Sequence, residues 1–339
     1  MECYYLGKEM KLLSVVIPCF NEELVLRATH ERLSQAVSAI EGFEYELIFV
    51  DDGSRDQTFE ILAEIQSHDS HTRVLKLSRN FGHQIAVTAG LEAATGNVIA
   101  VIDADLQDPP EVINEMIELW RQGNHVVYGS RTTRVGESRF KLMTAKAFYR
   151  IINRFSDTSI PVDTGDFRLM DRSVVDVLLA MPERGRFLRG MVSWIGFRQV
   201  ALPYERDARH AGRTKYSLLK MIQFAMDGIF SFSVLPLRFA TLTGMVAICL
   251  AIGGIILAVI VRVLRLYDLQ LGRGWASLFV AVLFMGGVQL LTLGVMGEYL
   301  GRIYTEVKRR PLYAVEERLG FAHAAERSAE KATRAKVGF

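Results

Sequence analysis

One stretch of the chain reads Val98-Ile99-Ala100-Val101-Ile102-Asp103-Ala104-Asp105-Leu106-Gln107-Asp108-Pro109-Pro110, an apolar run followed by a polar turn and a proline pair. Alternation along an extended chain would place Asp103, Asp105 and Gln107 on one face. Three oxygen-bearing side chains at the carboxyl end of a strand suit a hard divalent cation such as Mg²⁺ or Mn²⁺. The alternative is an acidic turn that caps the helix begun by the two prolines. The rest of the chain has to decide between these two interpretations.

Similar strand-and-helix units surround this stretch. Apolar runs that predict strands cover Leu12 to Pro18, Tyr45 to Val50, Val74 to Leu77 and Val126 to Gly129. Amphipathic patterns typical of helices follow these strands, one of them from Pro109 to Gln122. Alternating strands and helices predict an α/β fold, a mainly parallel, Rossmann-like sheet with helices on both faces.

Polar residues follow the first two strands, where open α/β sheets bind their ligands. These are Asn21 and Glu22 after the first strand, and Asp51 and Asp52 after the second. The run Asn21-Glu22-Glu23 also predicts the cap of the first helix. Neither a Gly-x-Gly-x-x-Gly after the first strand nor a Gly-Lys-Ser/Thr loop is present. An ordinary dinucleotide site and a Walker-type site are therefore not expected.

Composition narrows the class of protein further. The 339 residues carry a net charge of +2, which gives no reason to predict nucleic acid binding. The three cysteines are too few and too scattered for a disulfide framework or a zinc site. Hydrophobic residues make up 50% of the chain, and their surplus lies in 234–305. No signal-peptide pattern opens the sequence, so we expect the first 230 residues to stay in the cytoplasm.

Two uncharged runs, 239–261 and 274–297, are each long enough to cross a bilayer as a helix, which takes about 20 residues. We predict two transmembrane helices joined by a short loop, with both chain ends in the cytoplasm and the protein in the inner membrane. Gly253-Gly254 and Gly286-Gly287 would permit close helix packing, so a homo-oligomer is plausible.

Basic and amphipathic segments precede these runs. The segment 140–155 predicts a basic amphipathic helix, either at an anionic membrane surface or on an ordinary protein surface. The segment 217–233 predicts a juxtamembrane amphipathic helix. The predicted organisation is a cytosolic catalytic domain over 1–216, that juxtamembrane helix, a transmembrane hairpin over 234–305 and a cytosolic tail over 306–339. The part of the tail after Pro311 is expected to be a frayed helix or disordered. Basic residues near the membrane would hold phosphate groups or anionic lipid head groups.

Several motifs together resemble one protein family. Ile17-Pro18-Cys19-Phe20-Asn21-Glu22-Glu23, Val50-Asp51-Asp52-Gly53-Ser54 and Asp103-Ala104-Asp105-Leu106-Gln107-Asp108-Pro109-Pro110 occur in order, followed by Thr164-Gly165-Asp166-Phe167-Arg168. They are similar to motifs of family 2 glycosyltransferases with the GT-A fold. The two C-terminal spans extend the resemblance to polyprenyl-phosphate glycosyltransferases, most of all the bacterial bactoprenol (undecaprenyl-phosphate) glucosyltransferases.

The resemblance implies a role for each group of residues. Asp103, Asp105 and Gln107 would hold a Mg²⁺ or Mn²⁺ ion on the donor diphosphate. The nucleotide-sugar site would consist of Pro18, Asn21, Glu22, Asp51, Arg79 and Asp103. The alternative for Arg79 is a surface charge at a strand end. Diphosphate or lipid phosphate would be held by Arg131, Arg206, Arg213 and Lys215. The catalytic carboxylate would be Asp166, with Asp163 in reserve, unless Asp166 only accepts a hydrogen bond at a strand end.

The implied reaction is an inverting displacement in which polyprenyl phosphate attacks the sugar of a nucleotide donor, UDP-glucose by resemblance. GDP-mannose, UDP-N-acetylglucosamine or an aminoarabinose nucleotide are the alternative donors. A processive polysaccharide synthase would carry a Gln-x-x-Arg-Trp segment, which the run from Arg186 to Trp194 lacks. A non-catalytic membrane adaptor is the alternative from another class, and the intact acidic motifs argue against it.

Overall fold

The computed structural model describes residues 10–131, 164–206, 235–263 and 275–321. These residues divide into two compact units. The sheet unit comprises the described residues up to 206 together with 310–321, and the helical unit comprises 235–263 and 275–309.

The sheet unit is a mixed, mainly parallel α/β domain. Its strands are β1 (Lys11–Cys19), β2 (Phe43–Asp51), β3 (Thr72–Leu77), β4 (Val98–Val101), β5 (Val126–Arg131), β6 (Thr164–Asp171), β7 (Gln199–Tyr204) and β8 (Val315–Leu319). Its helices are α1 (Leu26–Ser38), α2 (Thr58–His68), α3 (His83–Ala93), α4 (Val112–Arg121), α5 (Arg172–Ala180) and α6 (Leu188–Ile195). The strand order is β7-β5-β6-β4-β1-β2-β3-β8.

Strand direction divides this sheet. The pairs β1 with β2, β1 with β4, β2 with β3, and β5 with β7 are parallel. Strand β6 runs antiparallel to both β4 and β5, and β8 runs antiparallel to β3. The predicted mainly parallel α/β sheet is confirmed, with two antiparallel strands that the sequence pattern did not indicate.

Both faces of the sheet are covered, which explains why its strands are apolar at consecutive positions. Val15 and Val16 point to opposite faces, and neither is exposed. Helices α1, α2 and α4 form one layer, and α3, α5 and α6 form another. Helix α3 lies so close to β1 that a Cβ on Gly90 would come within 2.3 Å of the Val16 side chain. Such close packing holds the carboxyl half of α3 against β1.

Two details of the sequence-based prediction are wrong. The run Asn21-Glu22-Glu23 does not cap the first helix: α1 begins at Leu26, and Asn21 has a left-handed φ of 56°. The segment predicted as a frayed or disordered tail contains β8, because the edge of β3 supplies backbone partners to Val315–Leu319.

The helical unit contains α7 (Leu235–Val263) and α8 (Trp275–Val307). Within them, Pro236–Gly254 and Val280–Val307 are long and apolar enough to cross a membrane. Their large apolar side chains are exposed, for example Phe239 and Leu290. The amphipathic helices predicted over 140–155 and 217–233 lie outside the described residues.

Candidate active site

Two adjoining clefts open where the parallel strands end. The acidic cleft has a volume of about 260 Å³, and its lining includes Pro18, Glu22, Asp52, His83, Asp103 and Asp105. The basic cleft has a volume of about 530 Å³, and its lining includes Asn21, Gly53, Arg55, Lys76, Arg79 and Glu316. Phe20 and Asn80 line both clefts, so the two are neighbours. The polar residues predicted to follow the strands therefore do lie together at the carboxyl ends of the parallel strands.

The turn after β4 differs from the extended geometry that the alternation argument assumed. Strand β4 ends at Val101, and Leu106 has a left-handed φ of 54°. The backbone N–H of Gln107 donates to Asp105 Oδ1 over 3.1 Å, and this hydrogen bond closes the turn. Asp103 and Asp105 line the acidic cleft, whereas Gln107 is not among its lining residues. The extended alternation assumed for Asp103, Asp105 and Gln107 therefore does not apply to this turn, although the two carboxylates do share a cleft.

These carboxylates still form a suitable donor set for a hard cation. Burial raises the pKa of Asp103 to about 6, and the charges of Asp166, Asp108 and Asp105 add to this effect while His83 opposes it. Within the described residues, no three His, Cys, Asp or Glu side chains are grouped to hold a metal by themselves. Mg²⁺ commonly takes only one or two protein carboxylates and completes its shell with phosphate and water. The oxygen donors and the excess negative charge fit such an ion.

Asp166 lies beside this cleft because of the antiparallel register. Val101 of β4 pairs with Arg168 of β6, so this pair lies two residues before Asp103 and two residues after Asp166. His83, the first residue of α3, lies between the two carboxylates. Its Nε2 is 3.1 Å from Asp166 Oδ2 and 3.8 Å from Asp103 Oδ1. The pairing of β4 with β6 thus brings close to His83 two carboxylates that are 63 positions apart in sequence.

The Asp166 carboxylate is surrounded by hydrogen-bond donors. Arg189 of α6 donates through Nε over 2.8 Å to Oδ1 and through Nη2 over 3.2 Å to Oδ2. Gln84 donates over 3.0 Å to Oδ2, which also contacts His83. We call Asp166, His83, Gln84 and Arg189 the Asp166 cluster. Arg168 Nη2, buried beneath it, is 3.8 Å from Oδ1.

Charge balance in this cluster keeps Asp166 ionised. Burial alone would raise the pKa of Asp166, but the charge of Arg189 and the hydrogen bonds from His83 and Arg189 hold it well below its usual range. Burial opposes protonation of His83, yet Asp166 and Asp103 raise the pKa of His83 to about 9. A carboxylate with such a low pKa is a weak proton acceptor. Its geometry is that of a group that orients cationic side chains.

Asp51 lies below the clefts and lines neither of them. Its side chain is fully buried, and Oδ1 accepts a hydrogen bond from the Ser54 amide over 3.0 Å. Its other oxygen, Oδ2, is buried without a hydrogen-bond partner. Burial raises the pKa of this carboxyl. Asp51, a residue of the implied nucleotide-sugar site, thus keeps an unsatisfied acceptor at the end of β2 but is not in the lining of either cleft.

Neighbouring residues shape the turns around the basic cleft. The backbone N–H of Asn21 donates to Ser54 Oγ over 3.0 Å, and its side-chain Oδ1 accepts from the backbone N–H of Arg55 over 2.9 Å. The Arg79 guanidinium lies 4.1 Å from the Phe81 ring centroid. Gly53 has a φ of 67°, and a Cβ there would come within 2.4 Å of the Arg79 carbonyl carbon. Asn21 and Arg79 therefore belong to one tightly fitted pair of loops.

Asp52 holds the start of α3 in place. Its two carboxylate oxygens accept hydrogen bonds from the amides of Phe81 over 2.7 Å and Gly82 over 2.9 Å. These contacts fix the residues immediately before His83. The carboxylate at the end of β2 thus positions one member of the Asp166 cluster.

The predicted phosphate-binding residues are only partly described. Arg206 donates over 3.0 Å to Asp108, a buried carboxylate that also accepts from the Tyr204 hydroxyl over 2.5 Å. Arg131 ends β5, where its backbone pairs with that of Tyr204. Asp163, Arg213 and Lys215 lie outside the described residues. The structure therefore joins Arg206 to the residue that follows the acidic turn.

Sequence reasoning missed three members of the Asp166 cluster. No motif marks His83 or Gln84 in the sequence, and Arg189 lies in the run from Arg186 to Trp194, which lacks the synthase motif. No local spacing connects these residues to Asp166, because Arg189 is 23 positions away and His83 is 83 positions away. A polar pair at the first positions of α3, at the ligand-binding edge of the sheet, is the signal that could have found them.

The fold and the clefts define an enzyme of the GT-A class of glycosyltransferases. The model of the family described as glycosyl transferase family 2 matches residues 14–179, and the chain belongs to this family. These findings confirm the predicted family, fold class and class of enzyme.

Individual relatives extend over most of the chain. It is 50% identical over 307 residues to "Uncharacterized glycosyltransferase YkcC" of Bacillus subtilis, which covers 91% of this chain and 94% of that protein. It is 39% identical over 307 residues to "Prophage bactoprenol glucosyl transferase homolog" of Escherichia coli, and the alignment covers 90% of this chain and 98% of that protein. A solved glucosyl-3-phosphoglycerate synthase from Mycobacterium tuberculosis aligns with a TM-score of 0.44 and 20% identity, covering 65% of this chain and 78% of that one.

Proposed function

We propose that this protein is a membrane-anchored inverting glycosyltransferase that transfers glucose from UDP-glucose to polyprenyl phosphate. The observation that carries the proposal is the contact of His83 with Asp103 on one side and Asp166 on the other. Through this contact His83 connects the acidic cleft, which suits a metal-bound diphosphate, with the Asp166 cluster. The cationic side chains of that cluster suit an acceptor phosphate. The relatives named as bactoprenol glucosyl transferases support the polyprenyl acceptor.

On the donor side, the nucleoside would occupy the basic cleft and the diphosphate the acidic cleft. Residues implied in holding the donor are Pro18, Asn21, Glu22, Asp51, Arg79 and Asp103. Asp103, Asp105 and Gln107 would hold a Mg²⁺ or Mn²⁺ ion, with Gln107 turning toward the cleft. When bound, such an ion neutralises the negative charge that develops on the departing diphosphate.

On the acceptor side, Asp166 would act mainly as a positioning residue. A phosphate monoester has a second pKa of about 6 and is mostly dianionic at neutral pH, so it needs little deprotonation. The four hydrogen bonds that Asp166 accepts aim Arg189, His83 and Gln84 instead. Arg131, Arg206, Arg213 and Lys215 remain proposed phosphate ligands, and Asp163 remains the reserve carboxylate.

The proposed reaction is a single displacement. An oxygen of the lipid phosphate forms a bond to the anomeric carbon, while the bond from that carbon to the UDP oxygen breaks and UDP departs with the electron pair. Attack opposite the leaving group converts an α-linked donor into a β-linked lipid phosphosugar. Charged side chains on the acceptor side would hold the phosphate in line for this attack.

The two candidate spans and the connectivity support a membrane location. The chain leaves the sheet unit after β7, forms α7 and α8, and returns to the same sheet as β8. If both helices cross a bilayer, the chain enters and leaves on the same side. We propose a multi-pass protein of the cytoplasmic membrane with the sheet unit facing the cytoplasm. A homo-oligomer remains a prediction.

The test is sugar transfer by the purified full-length protein. Radiolabelled UDP-glucose, undecaprenyl phosphate and Mg²⁺ should give a labelled product that partitions into organic solvent. GDP-mannose, UDP-N-acetylglucosamine and an aminoarabinose nucleotide serve as competing donors in the same assay. Greater transfer from one of these would replace glucose in the proposal. No lipid-soluble label from any donor would favour the non-catalytic adaptor.

A further inference from the structure

Strand β8 brings a segment from beyond the helical unit to the donor site. It lies outside residues 14–179, which the family model matches. In its pairing with β3, Lys76 lies opposite Glu317, and Leu75 lies opposite Arg318. The preceding residue, Glu316, reaches the basic cleft and lines it together with Asn21 and Arg79. A segment that follows two candidate membrane spans thus forms part of the wall of this cleft.

Glu316 differs chemically from its surroundings. Among the described residues, it is the one acidic side chain that lines the basic cleft, whose cationic residues are Arg55, Lys76 and Arg79. Lys76 Nζ lies 3.6 Å from Glu316 Oε2 and 3.4 Å from Glu317 Oε1. Lys76 Nζ also lies over the Phe59 ring, 4.4 Å from its centroid. Lys76 is therefore a fixed support for both carboxylates, but only Glu316 lines the cleft.

The charge pattern of the two clefts decides what Glu316 can bind. A carboxylate accepts hydrogen bonds and repels phosphate, so it suits the nucleoside end of a nucleoside diphosphate. Ribose hydroxyls and base N–H groups are donors of the required kind. The metal-binding carboxylates lie in the neighbouring acidic cleft, which leaves the basic cleft for the nucleoside.

We propose that Glu316, supported by Lys76, accepts a hydrogen bond from the nucleoside of the donor. The inference rests on the proposed use of a nucleotide sugar and deepens it. It makes β8 a part of the donor site and gives the segment after the helical unit a direct function in substrate recognition.

The chain offers a matched control for this proposal. Glu316→Gln and Glu317→Gln each remove one carboxylate that contacts Lys76, with the same change of shape and charge. We expect Glu316→Gln to weaken UDP binding by the full-length protein about fivefold, because a hydrogen bond to a charged group is lost. Glu317→Gln should stay within about twofold of the wild type. Isothermal titration measures both, and thermal unfolding checks that the two variants are equally folded.

Two further readouts separate a nucleoside contact from a general effect of charge. The loss for Glu316→Gln should be as large for UMP as for UDP, and pyrophosphate binding should not weaken. In steady-state kinetics the KM for the donor should rise about fivefold while kcat stays within about twofold.

Each outcome has a distinct meaning. A wild-type protein that binds neither UDP nor any other nucleoside diphosphate would overturn the proposed function, and the inference with it. Wild-type binding that both variants retain would overturn the inference alone. Equal weakening in both variants would show that the effect runs through Lys76, which also overturns a direct contact by Glu316.

Discussion

Asp103 and Asp166 lie on either side of His83, yet their surroundings are opposite. Asp103 is crowded by other carboxylates, and burial raises its pKa to about 6. Asp166 accepts four hydrogen bonds from three side chains, two of them from Arg189, and its pKa is held well below the usual range. His83 offsets only part of the negative charge around the first carboxylate, whereas the second is already matched by the protein. The contrast teaches that the role of an aspartate in a motif does not follow from its residue type alone. The hydrogen-bond donors and charges around the carboxylate define that role.

The largest effect should follow from removing the charge of Asp103. We expect Asp103→Asn to lower sugar transfer by a factor of about 10³, because the diphosphate loses the cation that neutralises it. Its unfolding temperature should equal or exceed that of the wild type, because the mutation relieves repulsion with Asp105 and Asp108. The measurements are label transfer into lipid and thermal unfolding. Full transfer by the folded variant would remove Asp103 from the proposed metal site.

Asp166→Asn should have the opposite effect on stability. We expect a loss of about 2–3 kcal/mol in the free energy of unfolding, because buried cations such as Arg168 lose their counter-charge. Transfer should fall by a factor of about 10², and the remaining activity should keep the pH profile of the wild type. A general base would instead leave a residual activity that rises with hydroxide concentration. Such a pH profile would contradict the positioning role.

Arg189→Lys tests the geometry of the Asp166 cluster apart from its charge. Lysine keeps the positive charge but cannot form the two-point contact of the guanidinium with a carboxylate. We expect transfer to fall about tenfold. Combined with Asp166→Asn, the substitution should add little, because both changes disrupt the same contact. Fully multiplicative losses in the double variant would show that Arg189 acts independently of Asp166.

Asp69 provides a control carboxylate that lines neither cleft. Its carboxylate accepts from Thr72 over 2.8 Å and from the His71 amide over 2.9 Å, and it contacts His30 over 2.8 Å. Burial alone would raise the pKa of Asp69, but these hydrogen bonds hold it well below its usual range. We expect Asp69→Asn to leave transfer unchanged and to lower stability at pH 7 by about 1 kcal/mol.

The pH dependence of this control follows from the direction of the shift. A carboxylate with a depressed folded-state pKa adds stability above its unfolded pKa of about 4, and this stability is lost as pH falls toward the folded value. The difference in stability between the wild type and Asp69→Asn should therefore shrink below about pH 4. Thermal unfolding from pH 7 to pH 3 measures it. A difference that grows on acidification would contradict this explanation of donor-surrounded carboxylates.

Local pattern predicted the acidic cleft better than the Asp166 cluster. Pro18 lies near the end of an apolar strand, and Glu22, Asp103 and Asp105 follow such strands. The ends of parallel strands meet at one edge of a sheet. The extended geometry assumed for Asp103 to Gln107 failed because β4 ends at Val101 and the chain then turns. Even so, the strand exits alone sufficed to locate the cleft.

Contacts between distant segments could not be predicted in this way. His83 and Arg189 meet Asp166 only after β6 enters the sheet antiparallel to β4. Strand β8 was missed for a related reason: Val315-Glu316-Glu317-Arg318-Leu319 is short and charged, and its conformation depends on the edge of β3. Each of these features depends on pairing that is absent from the local pattern.

The most direct test of this division of roles is Mn²⁺ binding in the presence of UDP, followed by electron paramagnetic resonance. The account predicts that Asp166→Asn binds the ion within about twofold of the wild-type affinity, whereas Asp103→Asn binds it at least about tenfold more weakly. Loss of Mn²⁺ binding in Asp166→Asn with wild-type binding in Asp103→Asn would contradict it.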